Sequence, residues 1–164
     1  METQTDHTAL TAQIALTNWN AQNKRFNDLI DKLTDDQLLA ETAPGRNTGI
    51  YLLGHLIAVN DGLLPLLGFG ERLYPELDEV FLKNPDKSGL SKPSVAELKA
   101  ALANINAALS AHLTQLQPAD WFTKHSSVSA EDFAKEPHRN KLNVILGRTT
   151  HLGYHMGQLA YLVK

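Results

Sequence analysis

Four long stretches of this chain place apolar residues at the three-and-four spacing of a helix, and no stretch sustains the two-residue alternation of a half-buried strand. That pattern points to an all-α fold. The first stretch runs from about Thr8 to Leu33, with Ile14, Ala15, Leu16, Trp19, Phe26, Leu29, Ile30 and Leu33 on a broad apolar face. Thr34-Asp35-Asp36-Gln37 then reads as a capping box opening one short extra turn. After the break at Pro44-Gly45, Asn47 or Thr48 caps a second helix carrying Ile50, Leu52, Leu53, Leu56, Ile57, Val59, Leu63 and Leu64, which Pro65 and Gly68 end. Ser94-Val95-Ala96-Glu97 is the clearest capping box and opens a third helix with Leu98, Leu102, Ile105, Leu109, Leu113 and Leu116, stopped by Pro118. A fourth begins near Asn140 and is expected to run almost to Lys164. It is apolar on more than one side, so it should be buried centrally or shared with a partner. Together the four predict a single four-helix bundle over residues 1–164.

The connections are unequal. Gly68–Pro93 and Gln117–Arg139 exceed the ~12–15 residues usual for a loop in a compact domain, and such loops are commonly functional. The first is long enough to return along a whole helix, which would let helices two and three run parallel. Both carry aromatics (Phe69, Tyr74 and Phe81; Trp121, Phe122 and Phe133) that could cover a pocket.

Charge and composition narrow the partners. A formal net charge of −3, without a basic patch, gives a nucleic-acid partner no electrostatic support. The absence of cysteine excludes disulfides and thiolate ligands from the protein, and fits a reducing compartment. The polar start from Met1 to Asn18, with Glu2 and Asp6, does not read as a signal peptide. The longest apolar run, Ile50–Leu67, is interrupted by Gly54, His55, Asn60, Asp61 and Pro65, so no membrane span is expected. A cytoplasmic location is the expectation.

The chemistry concentrates in His151-Leu152-Gly153-Tyr154-His155. Histidines at i and i+4 share one helical face, with β-carbons ~5–6 Å apart, and two such imidazoles can reach one metal ion. His55 offers a third ring on the equally apolar second helix. Leu152 stands where a zinc-protease motif needs Glu, and no Glu-x-x-His pair supports a di-iron site. A mononuclear site of His55, His151 and His155 is left, with at least one coordination position free for water or substrate. The glycines Gly54, Gly62, Gly147, Gly153 and Gly157, costly inside helices, read as tight helix packing or as room for a ligand beside the metal.

Gly54-His55-Leu56, together with His151-x-x-Tyr154-His155-x-Gly157-Gln158, resembles the DinB/YfiT-like metalloenzymes. The spacing of the four helices and the prelude Leu33-Thr34-Asp35-Asp36-Gln37-Leu38 are similar too. The resemblance implies a four-helix bundle of unusual connectivity, often dimeric, whose histidine triad binds nickel, zinc or another divalent ion. It also implies a metal-dependent enzyme acting on a small molecule, by transfer of a low-molecular-weight thiol or by hydrolysis. The alternatives are a metal-binding module without activity and a metal-free bundle whose histidines fill the core. No convincing general base stands near the triad, which weighs against hydrolysis more than against thiol transfer.

Further residues share the site's neighbourhood. Gln158, i+3 from His155, is a candidate to hold an imidazole tautomer. Arg148, i−3 from His151, would meet an anionic substrate or an interhelical carboxylate. Tyr51, i−4 from His55, would donate a hydrogen bond near the metal or mark a bundle end. Asn60 and Asp61 would position water. His112 reads as partly buried, and His7, His125 and His138 as solvated. The surplus apolar surface of helix four and Gly153-x-x-x-Gly157 predict a homodimer.

Overall fold

The computed structural model describes Asp6–Lys164; the expected polar start at Met1 and Glu2 lies outside the described residues. Four long helices carry the architecture. Helix α1 spans His7–Lys32, α3 Gly49–Asp61, α6 Val95–Gln115 and α8 Lys141–Leu159. Short helices fill the connections: α2 (Asp35–Leu39), α4 (Leu63–Leu66), α5 (Leu77–Phe81) and α7 (Ala130–Lys135), with 3₁₀ turns at Pro118–Phe122 and Ala160–Leu162. No strand forms among the described residues, only isolated bridges at Glu41–Thr48 and Lys124–Asn140.

Local chemistry sets the helix starts. Thr34 and Ser94 close full capping boxes with Gln37 and Glu97, and Thr48 caps α3 through its hydroxyl on the Tyr51 N–H. The second apolar stretch breaks at Gly62 and resumes as α4, with Pro65 inside that short turn rather than ending it. The fourth stops at Leu159, earlier than expected, and tightens into a 3₁₀ turn.

Contacts along the bundle fix the directions of its helices. Asn106 donates to Asn27 at 3.2 Å, and Lys99 lies beside Asp31 while Ser110 lies beside Trp19, so α6 runs antiparallel to α1. Thr48 and Ile50 lie beside Ser94 and Val95, and Phe69 beyond α4 stacks on His112 with ring centroids 4.8 Å apart. Helices α3 and α6 therefore run parallel, and residues 68–93 form the expected crossover. Gly49 lies against Leu162, and His55 against His151, so α8 runs antiparallel to α3. The order is up, down, down, up.

The crossover is pinned by Asp61, whose side chain has no solvent exposure. Its carboxylate accepts from the backbone N–H groups of Leu73 (2.8 Å) and Tyr74 (3.1 Å) and from Arg72 Nε (3.0 Å). Arg72 also pairs with Asp78. Asp61 is thus occupied in holding the chain, not in positioning a water. Neighbouring Asn60 is 2% exposed, a core residue at the end of α3.

Helix α3, not α8, is the central helix. Eleven of its residues are buried, against Ile145, Leu152 and Leu159 alone in α8. The apolar residues of α8 are spread around its circumference: the seam repeating every seven residues is fully buried, Leu142, Val144 and Met156 pack half-buried against the core, and Leu146 and Tyr154 are exposed. Ile14 of α1 also faces outward. By length and composition Gly49–Leu66 would qualify to cross a membrane, contrary to the sequence expectation, but 72% of it is buried inside the bundle. Its apolarity is explained by its place in the core. The loop aromatics Phe81 and Trp121 likewise join the core rather than lie over a pocket.

Candidate metal centre

Three imidazoles converge where α3 and α8 pass each other. His151 Nε2 lies 3.0 Å from His155 Nε2 and 3.3 Å from His55 Nε2. All three rings are half-buried, so the cluster keeps an edge toward solvent. No Asp or Glu oxygen joins it among the described residues.

The outward nitrogens explain why the inner ones face each other. His55 Nδ1 donates to the Phe81 carbonyl at 3.0 Å. Phe81 is the last residue of α5, where carbonyls lack a helical partner, so the ring satisfies a group the helix end leaves free. Gly54 makes this possible: a Cβ there would sit 2.3 Å from the Phe81 ring, so only glycine admits that ring against α3. The space at Gly54 is taken by Phe81 and not by a ligand. His155 Nδ1 donates to Gln158 Oε1 at 2.7 Å, one turn further along α8. With both Nδ1 atoms protonated, His55 and His155 turn bare Nε2 lone pairs inward.

One proton on His151 Nε2 can satisfy only one of its two contacts. The other then leaves a bare lone pair facing a nitrogen with no hydrogen aimed at it, an unfavourable contact that a cation would convert to attraction. Imidazole–metal bonds of about 2.0–2.1 Å place neighbouring donors about 2.8–3.4 Å apart, from octahedral to tetrahedral angles. The two spacings seen here, 3.0 and 3.3 Å, fall inside that range. The donor set therefore fits one divalent cation.

Electrostatics favour the neutral rings that metal ligation needs. Burial, followed by the His155, His55 and Arg148 charges, lowers the His151 pKa from 6.5 to about 4. Burial also lowers that of His155, with Gln158 opposing. Since the folded value of His151 lies below its unfolded one, its contribution to stability is complete above about pH 6.5 and lost as pH falls toward about 4. Thermal melts of the metal-free protein should move downward steadily across that window, and His151→Gln should flatten the slope. A melting temperature independent of pH there would contradict this.

The neighbours divide clearly. Gln158 occupies the position expected of a tautomer-holding partner. Gln158→Leu should weaken metal affinity about 10- to 100-fold by competition titration while leaving one site per chain; unchanged affinity would show that the bond is idle. Tyr51 stacks at 6.5 Å from His55, but its hydroxyl donates to the Asn84 carbonyl at 2.7 Å and does not serve the cluster. Arg148 makes no interhelical ion pair among the described residues. His112 is exposed rather than partly buried, and lies flat on Phe69. His7 and His138 are exposed as expected, but His125 is half-buried with an unpartnered Nδ1. Sequence reasoning missed the Phe81 carbonyl, because a backbone atom in a distant loop carries no residue signature.

An all-helical bundle with inward histidines on two crossing helices defines a class of protein compatible with one bound metal ion. The chain belongs to the DinB superfamily, whose sequence model matches residues 18–159. Its fold is similar to the crystal structure of a conserved protein from Enterococcus faecalis, with a TM-score of 0.61 and 18% identity over 92% of this chain and 93% of that one. No curated protein matches the chain.

Proposed function

We propose that this chain is a metal-dependent enzyme in which His55, His151 and His155 hold one divalent ion, nickel or zinc, and act on a small thiol. The observation that carries the reading is the inward aim of Nε2 atoms on three half-exposed rings, two of them fixed by acceptors at Nδ1. Three protein ligands leave a coordination position open on the solvent side, as in catalytic rather than structural sites. When bound, such an ion lowers the pKa of a thiol or water beside it.

The residues do the rest. The Phe81 carbonyl and Gln158 hold two rings in register, and the burial of His151 and His155 keeps them unprotonated at neutral pH. The absence of a carboxylate from the cluster favours thiol transfer over hydrolysis, since a thiol needs less help than water to ionise near neutral pH. Self-association as a homodimer belongs to the same reading. Leu146 and Tyr154 are exposed on α8, and a Cβ at Gly147 or Gly157 would meet nothing within 4 Å, so this face is open to a second copy.

The test is spectroscopic. Protein loaded with cobalt should change its visible spectrum when a small thiol is added, and the change should be missing in His151→Ala. A cobalt spectrum indifferent to every thiol tried would reject the thiol chemistry in favour of a metal-binding module without activity.

A further inference from the structure

Three arginines of this chain are half-buried, and their surroundings differ: Arg139 pairs with Glu136. Arg72 is met by Asp61 and Asp78. Arg148, half-buried on α8, is met by neither Asp nor Glu among the described residues. Its Nε is shut off from solvent and has no hydrogen-bond partner. Burial alone acts on its ionisation, with no anion to offset it. A guanidinium kept in that state is costly, because desolvation of the charge is not compensated.

Its position gives the bare cation a use. Arg148 precedes His151 by three residues and His155 by seven, which places all three on one stripe of α8. Its charge is felt at the His151 ring. The histidine cluster contributes no negative charge of its own. A divalent ion on neutral imidazoles beside this arginine would leave a strongly positive centre that only an incoming ligand can balance.

Resting on the metal-site reading above, we infer that the small molecule taken here carries a carboxylate, which Arg148 binds through its guanidinium. The two Nη groups of the planar guanidinium, which are not shut off from solvent as Nε is, match the two oxygens of a carboxylate end-on. A rise of about 4.5 Å separates Arg148 from His151 along α8, so the carboxylate and the metal-directed group of the ligand stand only a few bonds apart. Arg148 then sets the class of substrate and leaves the metal ligands untouched.

The probes are 3-mercaptopropionate and 2-mercaptoethanol, which share a thiol and differ in the carboxylate, titrated calorimetrically into zinc-loaded protein. The wild type should prefer 3-mercaptopropionate by about 10- to 100-fold, the worth of a hydrogen bond to a charged group. Arg148→Met should bind both alike while retaining the zinc content of the wild type. Arg148→Gln, which keeps a polar side chain, should lose the preference as well and covers the case in which the methionine variant fails to fold. Equal binding by the wild type, or a preference that survives in either variant, overturns the inference while the metal reading stands. Inorganic phosphate that displaces 3-mercaptopropionate at equal concentration overturns the assignment to carboxylates. Wild-type protein that takes up neither zinc nor nickel removes the metal reading and this inference with it.

Discussion

Alanine in place of His55, His151 or His155 should reduce metal binding from one equivalent to background, measured by elemental analysis of protein purified without a histidine tag. Each ring supplies one of three inward donors, and no other His, Asp or Glu among the described residues joins them. Loss of a ligand should exceed the 10- to 100-fold typical of an outer partner, so the affinity should fall at least about a hundredfold. Stability provides a second readout. A metal at a hundred times its dissociation constant stabilises the folded state by about 2.7 kcal/mol, and that increment should vanish in all three variants. His112→Ala is the control, because His112 is exposed and stacks on Phe69 far along the bundle from the cluster. Full metal content in His55→Ala would refute the triad, because that ring alone comes from α3.

Gly54→Ala is expected to do comparable harm without touching a ligand. The new methyl group would lie 2.3 Å from two carbons of Phe81, a ring with no solvent exposure and no free space to enter. Overpacking of this kind costs about 1–3 kcal/mol, from which the better helix propensity of alanine recovers up to about 1. Displacing Phe81 also moves the carbonyl that holds His55 Nδ1, so metal affinity should fall together with stability. Gly147→Ala should do the opposite: nothing lies within 4 Å of its added carbon, and the helix gains up to about 1 kcal/mol. Thermal unfolding with and without metal separates the two effects. A Gly54→Ala protein as stable and as tight for metal as the wild type would mean that the Phe81 contact does not matter.

The helices themselves were legible because their signals are local. Capping boxes at Thr34 and Ser94 need only three residues of sequence to work, and both form as expected. The i, i+4 spacing of His151 and His155 is likewise a property of one helix, and it survives whatever that helix packs against. The length of residues 68–93 was enough to anticipate a crossover, since a chain must be that long to return along a neighbouring helix.

What the sequence could not decide depends on distant partners. Glycine looks the same at positions 54 and 147, yet one is filled by a phenylalanine from a loop and the other faces open space. Asp61 reads as a polar helix end until Arg72 and two backbone N–H groups of the crossover meet it. Helix α8 is more apolar than α1 but has fewer fully buried residues, because burial depends on where neighbours lie and not on how many apolar residues a helix carries. The histidine pair was thus set by helical periodicity alone. The third ring, its carbonyl anchor and the unpaired Arg148 beside them became a site only when α3, α5 and α8 were brought together in space.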